Sequence, residues 1–138
     1  MRHIHVLNKT RESVLGTRIG VADRWWSRAR GLLGAAPPAG EGILLSPCRA
    51  VHTFGMRCPL DVLFLDRGGR VVASYQALRA WRWTRFHRDA EYALEVPIGT
   101  IAATSTRLDD LLAWTPAKAV VSRPGRTSTR AGRLGANA

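Results

Sequence analysis

The chain has 138 residues, 46% of them hydrophobic, and carries a formal net charge of +11 at neutral pH. A chain of this length builds one domain around one core, and its apolar runs fall well short of the roughly 20 residues that span a bilayer. The amino-terminal MRHIHVLNKTRES lacks the continuous apolar segment of a signal peptide, so the sequence predicts a cytoplasmic protein without a transmembrane segment.

Two strands and one helix are predicted in the first third of the chain. Ile4 and Val6 alternate with polar neighbours, and a second β-like run covers residues 14–22. Asp23 is a good N-cap, and Gly34 ends the pattern that follows it. The apolar residues at helical spacing in that pattern are Trp25, Trp26, Ala29, Leu32 and Leu33. We therefore expect an amphipathic helix over residues 23–34.

The middle and the end of the chain predict further strands. Residues 60–66 are apolar on both faces of an extended chain, which is typical of a central buried strand. The glycine pair at 68–69 lies between two β-rich runs and predicts a hairpin turn. Residues 90–97 predict another strand, and a short helix is expected from residue 99 to about 105. Two last apolar runs, at 111–114 and 117–121, flank a predicted Thr-Pro turn.

Many short strands with one or two short helices predict a mainly β fold, namely a small β-sandwich, a jelly-roll-like domain or a partly closed barrel. Residues 1–121 are expected to form this single globular domain. The stretch 122–138 has four arginines, no acid and one large apolar residue, Leu134. It buries too little to offset its ordering entropy, so we predict a basic, disordered carboxy-terminal tail.

Six segments follow one another in the order known from one protein family: RARGLLG (28–34), GEGILLSPC (40–48), VHTFGMRCPLDVLFLD (51–66), GRVV (69–72), the Trp-Arg pair at 81–82 and ALEVPIGT (93–100). The chain resembles the domain-of-unknown-function family 192 (DUF192) over residues 20–105. The central block is the most specific part, because its order of residues is hard to reach by chance. The resemblance implies a compact β-rich domain of jelly-roll-like or sandwich type and brings no established biochemical activity.

One acid lies inside the predicted central strand. Asp61 shares a face with Leu63 and Leu65, so its carboxylate must be hydrogen-bonded or paired once the strand is buried. The nearby candidates are His52, Arg57 and the amides of the 53–56 turn. We therefore expect Asp61 to anchor the loop before it, as a structural clamp or as part of a functional site.

Two kinds of chemistry fit the functional alternative. Cys48, His52 and Cys58 offer zinc ligands, with His87 imported as a fourth, although Cys-x3-His-x5-Cys is no recognised zinc-knuckle spacing. Alternatively, Cys48 is a nucleophile with His52 as base and Asp61 as orienting acid. An apolar setting of Cys48 disfavours the thiolate that this role needs. The structural alternative is that both cysteines are small, reduced, buried residues, and the sequence predicts no cofactor.

Aromatic residues and arginines interleave in RAWRWTRFHR, residues 79–88. This combination stacks bases, grips phosphates and forms hot spots between proteins. The structural alternative places Trp81 in the core and leaves the arginines solvated. The net charge favours anionic partners, although an arginine-rich composition alone also produces it.

We therefore predict a non-enzymatic binding or interaction domain with a groove for a small anionic ligand or a protein partner. The residues expected to line that groove are His52, Arg57, Asp61, Trp81 and Arg82. One alternative is a hydrolase-like or metal-dependent enzyme built on Cys48, His52 and Asp61. A second alternative is a nucleic-acid-associated protein that binds through its basic tail.

Overall fold

The computed structural model describes residues 2–22, 37–53 and 56–117, which form seven strands and one short helix. In chain order these elements are β1 (His3–Asn8), β2 (Ser13–Ala22), β3 (Glu41–Leu45), β4 (Leu60–Leu65), β5 (Val71–Leu78), β6 (Tyr92–Pro97), α1 (Thr100–Thr104) and β7 (Leu112–Pro116). The predicted helix over 23–34 and the predicted tail over 122–138 lie outside the described residues. No helix in the described ranges is long and apolar enough to cross a membrane.

The seven strands form one sheet in the order β5-β4-β6-β3-β2-β1-β7. Neighbouring strands are antiparallel except β2 and β3, which run parallel. The two edge strands meet at one end, where Arg70 and Leu111 form an antiparallel bridge. There the amide of Leu112 donates to the carbonyl oxygen of Gly69 at 2.9 Å. The sheet therefore curls into a partly closed barrel, which confirms the predicted mainly β fold.

The inner face of the curl holds a core to which every strand and α1 contribute. Val71 and Leu112 come from the two edge strands and belong to the same buried cluster, so this cluster lies inside the curl. Leu63 and Leu65 enter it from β4, and Ile101 closes it from α1. Burial of apolar side chains on this scale is the dominant stabilising term of the fold.

A second core lies on the outer face of β3, β4 and β6. Leu60, Val62 and Phe64 of β4 contribute to it, while Val51 and Met56 cover it from the connection before β4. All six residues of β4 are buried, because this strand has a core on each side. The predicted burial of this strand on both faces is confirmed, although β4 lies next to the edge strand β5 and not at the centre of the sheet.

The predicted glycine turn joins β4 to β5. The carboxylate Oδ1 of Asp66 accepts hydrogen bonds from the amides of Gly68 at 3.0 Å and Arg70 at 2.9 Å. Gly69 has a φ of 91°, and a Cβ added there would overlap the carbonyl oxygen of Leu112. Glycine is therefore required at the point where the two edges of the sheet meet.

The predicted Thr-Pro turn near the end of the described chain is wrong. Thr115 pairs with His5 and Pro116 pairs with Ile4, so β7 continues through both residues. Proline is compatible with this strand because β7 lies at the edge of the sheet, where the missing amide leaves no neighbouring strand unpaired.

A buried polar network ties β1 to the connection between α1 and β7. The side-chain amide of Asn8 donates to Thr106 Oγ1 and to Asp110 Oδ2, both at 3.0 Å. Arg11 Nε lies 3.1 Å from the same Asp110 oxygen. Burial raises the pKa of Asp110, but the hydrogen bonds from Asn8, Arg11 and the Arg107 amide outweigh burial, so the net pKa is lowered.

Candidate functional site

Asp61 faces the inner core and is only 1% exposed. Its Oδ1 accepts a 2.9 Å hydrogen bond from the amide of Ala77, and its Oδ2 accepts one of 2.9 Å from the amide of Ile101. The pairing of β4 with β5 is irregular here, because two residues of β5 oppose Asp61 alone. Asp61 thus accepts hydrogen bonds from the amide of Ala77 at this bulge and from the amide of Ile101 in the first turn of α1.

The expectation of a buried, hydrogen-bonded Asp61 is confirmed, but its expected anchoring of the preceding loop is wrong. Neither Ala77 nor Ile101 belongs to that loop. The physical reason is the two-sided burial of β4: Asp61 points into the curl with Leu63, while Val51 of the loop packs on the outer face. Asp61 is therefore a clamp between β4, β5 and α1.

Cys48 is half-buried against the outer core, and its thiol donates to the carbonyl oxygen of Ala50 at 3.2 Å. Because Asp61 faces the inner core, Cys48 and Asp61 lie on opposite faces of the sheet. The structure therefore does not bring Cys48, His52 and Asp61 together as a catalytic set.

The cysteines also bear on the proposed metal ligands. Cys48 and Cys58 are both half-buried, and they are not joined by a disulfide. Across the described parts of the chain, no three His, Cys, Asp or Glu side chains form a group that could hold a metal ion. Cys48, His52 and Cys58 thus do not form the cluster that the zinc alternative needs.

Residues 79–88, here termed the aromatic–arginine loop, connect β5 to β6 and lie against the segment 49–53. Thr53 is central to this contact, since its Oγ1 donates to Arg79 O at 2.6 Å and accepts from the Arg82 amide at 2.8 Å. Its own backbone amide donates to Arg82 O, and its carbonyl oxygen accepts from the Trp81 amide. With a longer contact of 3.4 Å from Thr53 Oγ1 to Arg82 O, five hydrogen bonds to one buried residue fix the backbone of residues 79–82.

The second half of the loop is held in a similar way. The amide of Thr84 donates to Val51 O, and the amide of Val51 donates to Thr84 Oγ1, each at 2.9 Å. The amide of His87 donates to Arg49 O at 2.7 Å. Thr84 is buried, like Thr53. The loop therefore turns its threonine inward and has a defined backbone along most of its length.

The large rings of the loop lie at the surface. Trp81, Trp83 and Phe86 are each 66% exposed. His52 and Trp83 form an isolated β-bridge, and their ring centroids are 5.1 Å apart with planes inclined at 53°. The guanidinium carbon of Arg49 lies 6.0 Å from the centroid of Phe86, within cation–π range.

The segments at this surface carry charge of one sign, and the exposed Asp89 follows directly after them. Residues 46–60 and 79–88 contain six arginines and no acid. All six are exposed: Arg49, Arg57, Arg79, Arg82, Arg85 and Arg88. Within the ranges that the structure describes, the one ion pair is Arg11–Asp110, outside both segments. This surface is therefore strongly basic, and none of its six arginines takes part in that ion pair.

His87, near the end of the loop, packs against residues of the outer core. Its Nε2 is 2.7 Å from the hydroxyl of Tyr75, and its ring centroid is 4.5 Å from that of Phe64. Burial, followed by repulsion from Arg85, lowers the pKa of His87 below its usual 6.5. The folded protein therefore favours the neutral imidazole at the base of the loop.

The structure places His52 in one of two contacting segments and the exposed Trp81 and Arg82 in the other, with Arg57 exposed in the turn before β4. Asp61, the fifth residue predicted for the groove, lies in the interior instead. Sequence reasoning did not select Trp83 and Phe86, although both belong to the same interleaved segment. Thr84 was the sequence feature that could have identified these two rings as exposed, because a small polar residue inside an aromatic run can take the inward position.

A cleft of about 370 Å³ lies elsewhere, between β2 and the start of α1. Its lining comes from residues 14–17, residues 39–40, residues 97–100, Ala103 and Thr104. None of the predicted site residues lines this cleft.

Fold and surface together define a small curled β-sheet domain that presents an aromatic and basic loop with a hydrogen-bonded backbone. The chain belongs to the DUF192 family, described as "Uncharacterized ACR", whose model matches residues 6–114. This family has no known function, and the resemblance found in the sequence is confirmed.

Two relatives illustrate the similarity. The UPF0127 protein TK1120 of Thermococcus kodakarensis is 28% identical over 116 residues, covering 80% of this chain and 73% of its own. The UPF0127 protein PF1050 of Pyrococcus furiosus is 32% identical over 114 residues, covering 79% of this chain and 97% of its own.

Two crystal structures share the fold. A candidate transcription regulator from Sinorhizobium meliloti 1021 has a TM-score of 0.66 at 19% identity, over 82% of this chain and 92% of its own. A protein of unknown function from Novosphingobium aromaticivorans DSM 12444 has a TM-score of 0.68 at 18% identity, over 81% and 84%. At this identity the likeness extends to the fold alone.

Proposed function

We propose that this protein is a non-enzymatic binding domain whose aromatic–arginine loop contacts an anionic partner. The observation that carries the proposal is the 66% exposure of Trp81, Trp83 and Phe86 on a backbone fixed by hydrogen bonds. Burying one such side chain stabilises a protein by roughly 1.5–3 kcal/mol, and this loop forgoes much of that stabilisation three times. Clustered exposed rings of this kind mark interaction sites.

The sign of the charge supports an anion. The two segments that form the surface hold six arginines and no acid. Arginine side chains that face solvent in such numbers raise the local concentration of anions and steer them to the surface. The guanidinium group also binds phosphate, carboxylate or sulfate oxygens with two parallel hydrogen bonds.

Binding without catalysis is also supported by the positions of the residues proposed for an enzyme. A cysteine–histidine–acid mechanism needs the three side chains within hydrogen-bond reach of one another. Cys48 packs on the outer core, whereas both Asp61 oxygens are engaged by backbone amides on the inner side. The exposed loop needs neither residue.

Two double variants test the proposal, and each replaces two arginines by glutamine without adding a negative charge. Arg82→Gln with Arg85→Gln removes two charges from the loop, and Arg67→Gln with Arg107→Gln removes two from exposed positions elsewhere. With a heparin oligosaccharide as probe at about 50 mM salt, we expect the loop variant to bind about tenfold more weakly. This follows from roughly 0.7 kcal/mol for each exposed ionic contact, or about 1.4 kcal/mol for two.

The control variant is expected to bind within about twofold of the wild type, because it keeps the loop intact and has the same net charge as the loop variant. Both variants retain the carboxy-terminal arginines, so these contribute equally. Equal weakening in the two variants, or no binding by the wild type, would contradict the proposal.

A further inference from the structure

We infer that the anionic partner is a single-stranded nucleic acid whose unpaired bases stack on Trp81, Trp83 and Phe86. This inference rests on the proposed binding function of the same loop and adds the chemical class of the ligand.

The order of residues in the loop matches the repeat of such a ligand. Arg82 lies between Trp81 and Trp83, and Arg85 precedes Phe86, so every exposed ring has an arginine next to it in the chain. A nucleic-acid strand presents one flat base and one phosphate in every repeat. Proteins that bind single strands combine aromatic rings for the bases with a positive track for the backbone.

Single strands fit this surface better than duplexes. In a duplex the faces of the bases are covered by their neighbours, and only base edges are accessible in the grooves. Rings that are 66% exposed leave aromatic surface accessible to a ligand, and unpaired bases are the nucleic-acid groups that stack on aromatic side chains. The loop is also neither a helix nor a two-stranded ribbon suited to the major groove.

The backbone that carries the rings is fixed before any ligand arrives. The hydrogen bonds of Thr53 and Thr84 fix the backbone that carries them. Trp83 keeps its exposure although the ring of His52 lies against it at 5.1 Å. A fixed platform loses little conformational entropy on binding, which favours affinity.

An acidic protein is the competing partner, since tryptophan and arginine also form protein–protein hot spots. An acidic peptide would satisfy the arginines but would not supply a flat ring with each charge. The two partners therefore predict different dependence on aromatic stacking.

The experiment compares four probes on the full chain: an oligothymidylate of about 12 nucleotides, an abasic sugar–phosphate strand of equal length, a duplex of equal length and an oligoglutamate. Tryptophan fluorescence reports binding. We expect the oligothymidylate to bind about 100-fold more tightly than the abasic strand or better, because stacking on three rings adds to the electrostatic contacts.

Variants at one ring separate stacking from other contributions. Trp83→Leu should lower the preference for the oligothymidylate by about fivefold or more, because one of three stacking rings is lost, whereas Trp83→Phe should retain most of it. Neither variant should change binding of the abasic strand. Arg82→Gln with Arg85→Gln should weaken both strands and reduce the slope of log affinity against log salt by roughly 1.4. Exposed Leu108, outside the loop, supplies a matched control as Leu108→Ala.

The outcomes distinguish this inference from the proposed function. Equal affinity for the abasic strand and the oligothymidylate overturns base stacking but leaves anion binding by the loop intact. Tighter binding of the duplex or the oligoglutamate also overturns the inference. A preference that is undiminished in Trp83→Leu and disappears when Arg123, Arg126, Arg130 and Arg133 are all changed to Gln assigns binding to the tail and overturns it. No binding of any anion overturns both.

Discussion

Removal of the Asp61 carboxylate is predicted to destabilise the protein severely. The hydrogen bonds that are lost lie outside the aromatic–arginine loop. Asp61→Ala leaves the amides of Ala77 and Ile101 without their acceptor. Hydrogen bonds to a charged group contribute about 1.5–3 kcal/mol each, which gives roughly 3–6 kcal/mol for two. The Ala77 bond is only partly buried, so water replaces part of the loss there, and we expect about 3–4 kcal/mol.

Asp66 provides a matched control, because its carboxylate also accepts two backbone amides but does so in the exposed turn after β4. Asp66→Ala should cost about 1 kcal/mol, since water hydrates the amides that it releases. His52→Ala should likewise cost less than Asp61→Ala, because the half-buried His52 packs beside the exposed Trp83. Urea denaturation followed by tryptophan fluorescence gives the free energies of unfolding.

Asp61→Asn keeps the prediction testable if Asp61→Ala does not fold. An amide oxygen can replace one carboxylate oxygen, but the amide nitrogen would face a second donor, so an intermediate loss of about 2 kcal/mol is expected. Hydrogen exchange should become faster at the amides of Ala77 and Ile101 before it does elsewhere. If Asp61→Ala is no less stable than Asp66→Ala, the account of Asp61 as a clamp is refuted.

Two further predictions concern the turn and the histidine. Gly69→Ala should lower the free energy of unfolding by about 2 kcal/mol or more, since the left-handed φ and the Leu112 carbonyl exclude a Cβ. The neighbouring Gly68→Ala should change it by less than about 0.5 kcal/mol. Equal melting temperatures of the two variants would contradict this. Because the pKa of His87 is lowered, its stabilising effect is complete above pH 6.5 and is lost as the pH falls from 6.5 through the folded-state pKa. Thermal melts at pH values on both sides of 6.5 should show a smaller loss of stability at low pH for His87→Gln than for the wild type. The control His3→Gln should lose as much stability as the wild type. An unchanged loss of stability in His87→Gln would refute the assignment. The lowered pKa of Asp110 affects stability only below its ordinary value of 3.8, so the effects of His87 and Asp110 on stability occur in separate pH ranges.

Local patterns predicted most of the fold where local physics decides it. The two-sided apolar run of β4 and the glycine turn after it were predictable, because side-chain alternation and positive φ are properties of short segments. β3 was not predicted, since a run as short as Glu41–Leu45 has no distinctive periodicity. The Thr-Pro turn was predicted wrongly because the tolerance of Pro116 depends on β7 being an edge strand.

The kinds of residue in the candidate site were predictable, but which residues contact one another was not. The interleaved rings and arginines of residues 79–88 are visible in the sequence, and so is a carboxylate that burial must satisfy at position 61. Which groups satisfy it could not be predicted, because Ala77 and Ile101 are 16 and 40 residues away in the chain. Only long-range packing brings them to β4.

Local patterns were therefore enough to predict the mainly β class, the burial of β4 on both faces, the family and the basic, aromatic character of one loop. The tertiary structure decided that Asp61 faces inward and Cys48 outward, which separates two residues that lie 13 positions apart in the sequence. It also decided that Trp81 and Trp83 lie at the surface. The physical reason is that β4 has a core on each side, and the face that a residue meets depends on which distant strands and loops cover it.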